Sequence, residues 1–221
     1  MIFEKNDSVL FIGDSVTDME RTRPVGEGLN SFYGTGYVRT IHSFINAFYP
    51  ELDLRIINMG CSGNNITDLE RRWQTDVFDL KPDWVCMCIG INDVWRQFDC
   101  PTMPHWHVQL DEYERIMDEL IAKTLPDVKG MILMTPYYME PLKEDLMRKR
   151  MDEYGAVVKK LADKYNLMCI DFQKLYDDYL TQRHSSFIAW DRVHPNYVGA
   201  MLMGAEFLKN VGFDKNIFDM K

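Results

Sequence analysis

Five short apolar runs, separated by stretches with helical periodicity, constrain this chain more than any other feature. The runs are 9–12, 54–59, 84–89, 131–134 and 167–170. Each is brief and largely unbroken by charge, as strands covered on both faces should be. Between them, 38–48 carries apolar residues at Ile41, Phe44, Ile45 and Phe48, and 67–78, 113–125, 147–165 and 196–208 show similar periodicity. Thr67-Asp68-Leu69-Glu70 fits a capping box at the start of one such helix. Strand and helix in alternation imply βαβ units, hence an α/β fold with a five-stranded parallel sheet and helices on both faces. Two stretches read as surface excursions: the polar, glycine-rich 17–36 and the proline-containing 97–106.

The 221 residues suit one α/β domain spanning 1–221, and neither a linker-like stretch nor a repeat divides them. A formal net charge of -9 argues against a nucleic-acid or anionic-membrane partner, since both call for a basic face. The longest apolar run, 84–91, is too short to span a bilayer, and the first residues carry acids where a signal peptide needs an apolar core. Five cysteines without framework spacing point to reduced thiols and a cytoplasmic location. Cys86 and Cys88, two apart in a strand, share one face as buried small hydrophobes. A zinc site would want more ligands, His105-Trp106-His107 reads as a polar loop, and neither a metal nor another cofactor is expected. Arg148-Lys149-Arg150 reads as a solvated helix face. The aromatic tail at Phe213, Ile217 and Phe218 packs either on its own domain or on a neighbour, which leaves a homo-oligomer open.

In open parallel sheets, sites form beyond the carboxyl ends of the strands. The first four ends here are followed by Gly13-Asp14-Ser15, by 60–64 (Gly-Cys-Ser-Gly-Asn), by Gly90-Ile91-Asn92-Asp93 and by 135–138. Ester hydrolysis needs a nucleophile, a base and donors aimed at the developing oxyanion. Ser15 sits where a tight turn lifts its hydroxyl, although Gly-Asp-Ser alone reads equally as a turn or helix cap. Asp191 and His194, three apart, can meet on one helical turn, with the carboxylate accepting Nδ1–H and Nε2 left to take the serine proton. Alone, that pair reads equally as a surface pair beside the last helix. The N–H groups of Ser15 and Gly60 and the side-chain amide of Asn92 supply candidate oxyanion donors. Together, in order and at successive strand ends, the pieces favour catalysis.

At this point the sequence resembles the SGNH/GDSL hydrolase superfamily. The matching blocks are LFIGDSVTD around Ser15, NMGCSGN around Gly60, IGIND around Asn92 and DRVHP around His194. The resemblance implies a flavodoxin-like three-layer α/β/α sandwich. It also implies Ser15 as nucleophile, an oxyanion hole of Ser15 N–H, Gly60 N–H and Asn92 Nδ2, and Asp191 and His194 as the rest of the triad. The segments GTGYV, PDWVCMCIGINDVWRQFD, GMILMTPYYME and AWDRVHP are similar to the intracellular acetylxylan esterase branch, which implies a small acetylated xylo-oligosaccharide as substrate. Trp95 and Trp190, beside Asn92 and Asp191, read evenly as packing residues or as sugar platforms. Two other functions stay open: an acyl-chain esterase or thioesterase with the same triad, and a carbohydrate-binding module without catalysis.

Overall fold

The apolar runs become parallel strands because both faces of each are covered. In the computed structural model, which describes residues 1–213, they are β1 (Ser8–Gly13), β2 (Arg55–Gly60), β3 (Trp84–Cys88), β4 (Gly130–Met134) and β5 (Met168–Ile170). All pairings are parallel and the strand order is β2-β1-β3-β4-β5. Alternate residues feed two cores. Leu10, Ile12, Ile57, Met59, Val85, Met87, Met131 and Leu133 enter one of them. Val9, Phe11, Ile56, Cys86, Cys88, Ile132 and Ile170 enter the other, so Cys86 and Cys88 do share a face.

Eight α-helices accompany the sheet in the described residues: α1 (Ser15–Asp18), α2 (Tyr37–Phe48), α3 (Ile66–Asp76), α4 (Ile91–Asp99), α5 (Leu110–Thr124), α6 (Leu146–Tyr165), α7 (Phe172–Leu180) and α8 (Tyr197–Asn210). Residues of α3 to α6 line the first core and residues of α2, α7 and α8 the second, which gives three layers. No described helix is long and apolar enough to cross a membrane. With this strand order, chain direction switches between β1 and β3, the place where such sheets open a crevice at their carboxyl edge. Ser15 follows β1 and Asn92 follows β3, so the topology brings their helix starts to the same edge.

Several local expectations change. The capping box is displaced: Asn65 is the cap, accepting from Thr67 N and Asp68 N, while Asp68 returns a bond to Asn65 N. The excursion at 17–36 is tied into the core rather than lying on the surface. Asn58 Nδ2 donates to Thr17 O at 2.7 Å and Tyr33 O at 2.9 Å, and Thr17, Asp18, Arg21 and Tyr33 are buried. The excursion read at 97–106 begins inside α4. Arg148 is not on a solvated face: it is buried, its guanidinium forked onto Asp177 at 2.7 Å and bonded to Asp152 at 2.9 Å. A buried charge is tolerable only with partners of this kind. Phe213 packs edge-on against Phe44 and Tyr49 of its own chain, whereas Ile217 and Phe218 lie outside the described residues.

Candidate active site

Asp14 starts the site by capping α1, its carboxylate accepting from Val16 N at 2.9 Å. The cap places Ser15 in the first turn with its hydroxyl turned towards the segment before α8. There Ser15 Oγ lies 2.8 Å from His194 Nε2, and His194 Nδ1 lies 2.6 Å from Asp191 Oδ2. With the imidazole proton on Nδ1 donating to Asp191, Nε2 is free to accept the serine hydroxyl. The arrangement can therefore pass the serine proton to the ring as Oγ attacks a carbonyl carbon.

Asp191 and His194 meet through a turn, not on a helix as their spacing suggested. Asp191 Oδ1 accepts from Val193 N at 2.9 Å and from His194 N at 2.7 Å, and Arg192 takes a left-handed conformation (φ 66). Pro195 gives the reason, because a residue preceding proline is pushed out of the helical region. The turn is pinned from outside. Met139 N donates to Arg192 O at 2.9 Å, Tyr137 Oη donates to Val193 O at 3.0 Å, and Arg192 pairs with Glu140. His194 is thus held by a rigid frame while its ring stays partly exposed.

Asn92 is buried at the start of α4. Its Nδ2 donates to Asn64 O at 2.9 Å and its Oδ1 accepts from Arg96 at 3.1 Å. These two partners fix which end of the amide is the donor and leave its second N–H available. Gly60 requires a correction. Its N–H is buried and donates to Asn58 Oδ1 at 2.9 Å, so it is already engaged inside the protein. A glycine is needed there for another reason: a Cβ would fall 2.2 Å from Asp18 N. The neighbouring Gly63 behaves differently. It has φ +83, open space where a Cβ would point, and an N–H without a hydrogen-bond partner among the described residues. Only the left-handed backbone marks it, and sequence does not print φ. The Ser15 N–H is equally unengaged.

The two tryptophans flank the histidine. Trp190 is 83% exposed, with its ring 6.1 Å from that of His194 and inclined by only 13°. Trp95 is half-buried, 5.9 Å from the same ring at 53°, with the Arg96 guanidinium over it. Exposure separates them: Trp190 offers a free face beside the base, and Trp95 mainly packs. Among the described residues, no group of three acidic, histidine or cysteine side chains forms a metal site. His107 instead contacts Cys100 O at 2.9 Å.

Beneath the site lie two fully buried carboxyls. Burial pushes Asp14 up to about 7, against the Val16 N–H and the charge of Arg72. Burial likewise pushes Asp93 up to about 7, against the Ile66 N–H, with Asp14 adding repulsion. Asp93 Oδ1 accepts from Ile66 N at 3.0 Å, and its Oδ2 has no partner. A native carboxyl raised in this way keeps a proton that the unfolded chain releases. Stability is therefore lost as pH rises from near the ordinary value of 3.8 towards 7. Asp93→Asn should flatten this dependence: between about pH 5 and about pH 8 its Tm should fall less than that of the wild type. Equal falls in thermal melts of both proteins would refute the assignment.

A parallel sheet with a serine–histidine–aspartate chain at its carboxyl edge defines the class of serine acyl hydrolases. The comparisons with known proteins narrow this. The model of the GDSL-like Lipase/Acylhydrolase family matches residues 11–202, and the chain belongs to that family. It is 49% identical over 208 residues to an acetylxylan esterase from Geobacillus stearothermophilus, covering 94% of this chain and 95% of that protein. The crystal structure of Axe2, an acetylxylan esterase from the same organism, superposes with a TM-score of 0.95 at 48% identity, covering 97% of this chain and 98% of that one. LAE5, an α/β hydrolase enzyme from the metagenome of Lake Arreo in Spain, matches with a TM-score of 0.95 at 48% identity, over 96% and 98% of the two chains.

Proposed function

We propose that this chain is a serine esterase that removes acetyl groups from short xylo-oligosaccharides. The observation that carries the reading is the chain of contacts from Ser15 to His194 to Asp191, at 2.8 and 2.6 Å, beside an exposed tryptophan face. Ser15 attacks the acetyl carbonyl while His194 takes its proton, and Asp191 holds the ring and stabilises the imidazolium. His194 then returns the proton to the departing sugar hydroxyl. Water, activated in turn by His194, hydrolyses the acetyl-enzyme to acetate. Ser15 N–H and Asn92 Nδ2 are the oxyanion donors. The free amide of Gly63, next to the Asn64 that holds Asn92, takes the place first read for Gly60.

The Geobacillus esterases supply the substrate class by similarity, and Trp190 supplies a surface for the sugar. A flat apolar face suits a pyranose ring, whereas the acetyl group needs only a small pocket at Ser15. The acyl-chain alternative wants an apolar channel at the nucleophile. The large apolar groove between α2 and α8, lined by Phe44, Met201, Leu208 and Phe213, does not include Ser15. The five cysteines are all free, which supports a cytoplasmic enzyme acting on imported oligosaccharides. Exposed Tyr197, Val198 and Met201 on α8 support a homo-oligomer.

The test is kcat/KM for an acetylated xyloside, p-nitrophenyl acetate and p-nitrophenyl octanoate, in wild type and Trp190→Ala. Octanoate should be poorest. Trp190→Ala should cost the xyloside about 10-fold, the scale of an exposed aromatic contact, and the small acetate ester much less. Preference for octanoate, or equal losses on the two acetyl esters, would overturn the sugar assignment and favour the acyl-chain enzyme.

A further inference from the structure

The oxyanion donors come from three separate segments: the turn after β1, the loop after β2 and the start of α4. One side chain touches or reaches all three. Arg72, on α3, has a side chain that is largely buried. Its Nη2 donates to Gly13 O at 2.9 Å, and its Nη1 donates to Met59 O at 2.7 Å. Its Nε donates to Asn64 Oδ1 at 2.7 Å. The carbonyl of that same Asn64 accepts from Asn92 Nδ2. The guanidinium is held in turn by Asp76, one helical turn on, at 2.6 Å.

We propose that Arg72 is a positioning residue for the oxyanion hole, clamping the ends of β1 and β2 and the 61–65 loop so that Asn92 and the loop amide face Ser15. The proposal rests on the serine-esterase reading above. Gly13 O precedes the nucleophile turn by one peptide unit, and Gly13 O also accepts from Cys61 N at 3.0 Å. The Met59–Gly60 peptide is fixed at both sides, its carbonyl by Arg72 and its N–H by Asn58. Asn64 bridges what remains, with its side chain on Arg72 and its backbone on Asn92. A planar fork of donors can span these acceptors at once, and a lysine ammonium, though equally charged, cannot reproduce that span. Oxyanion donors lower the barrier only when already aimed at the developing charge, so loosening the clamp affects the transition state more than substrate binding.

The experiment is a double-mutant cycle on p-nitrophenyl acetate with Arg72→Lys, Asn92→Ala and the pair, each checked by thermal melting. Arg72→Lys should lower kcat by about 10-fold or more with KM changed less than about 3-fold. In the Asn92→Ala background the same substitution should cost less than about 3-fold, because the donor it aims is gone. A merely structural role would give equal losses in both backgrounds, and that result overturns the proposal, as does wild-type kcat in Arg72→Lys. Should Arg72→Lys fail to fold, Asn64→Ala enters the same cycle under the same criteria. Ser15→Ala run alongside separates the two levels. A dead Ser15→Ala with an unaffected Arg72→Lys sinks the clamp alone, and an active Ser15→Ala sinks the Ser15-based mechanism beneath it.

Discussion

Ser15→Ala is expected to lower kcat on acetyl esters by roughly 10³-fold or more while leaving the melting temperature close to wild type. The hydroxyl contributes one side-chain contact, to His194 Nε2, and the backbone of Ser15 continues to open α1 under the Asp14 cap. Removing Oγ therefore removes the nucleophile without removing a structural partner. His194→Ala should cost a similar factor, since an unassisted serine hydroxyl is a poor nucleophile. The two losses should not add: Ser15→Ala/His194→Ala should be about as inactive as either alone, because the residues act as one unit. Steady-state kinetics with p-nitrophenyl acetate and labelling by a fluorophosphonate probe measure both effects. Activity in Ser15→Ala within about tenfold of wild type would exclude Ser15 as the nucleophile, whereas a wild type that neither hydrolyses acetyl esters nor takes up the probe would leave a carbohydrate-binding role as the better reading.

The sheet was legible because burial on both faces writes a strand as a run of apolar residues. β1 and β4 follow their runs to within a residue or so, and β5, only three residues long, was still visible. α4 was not, for a physical reason. Ile91, Val94, Trp95 and Phe98 do stand at helical spacing, but the helix begins at the end of the 84–91 apolar run, and its first turn reads as the polar turn that follows β3. The residues read for the triad were legible as well, being few, unusual and set at strand ends. Their support was hidden. Pro195 marks the Asp191–His194 segment as non-helical, but nothing in the sequence says that Asn58 reaches Gly60 N–H, that Asp191 closes the turn itself, or that Arg148 turns inward to Asp177. The first two are short-range bonds from side chain to backbone and the third joins α6 to α7, and polar residues give no periodicity by which to anticipate either kind.

The second large effect is expected at Asn92. Asn92→Ala should lower kcat by about 10²–10³-fold, the usual cost of one oxyanion donor, with KM moving much less. The ground-state carbonyl needs that hydrogen bond little; the tetrahedral oxyanion needs it strongly, and the burial of Asn92 enlarges the difference. The amide is prepared for this use. Asn64 O and Arg96 hold it at both ends, so no reorganisation is required as charge develops. Asn92→Asp keeps the shape but replaces the donor with an acceptor, and should be at least as damaging as the alanine because it places a carboxylate near the developing negative charge. Deleting a buried side chain also carries a structural cost, since Asn64 O loses its donor, and a modest drop in Tm is expected for alanine. That cost separates from catalysis through the ratio of kcat to KM effects. If both variants raise KM and leave kcat unchanged, Asn92 binds substrate without stabilising the transition state, and the oxyanion hole must be sought in the Ser15 and Gly63 amides alone.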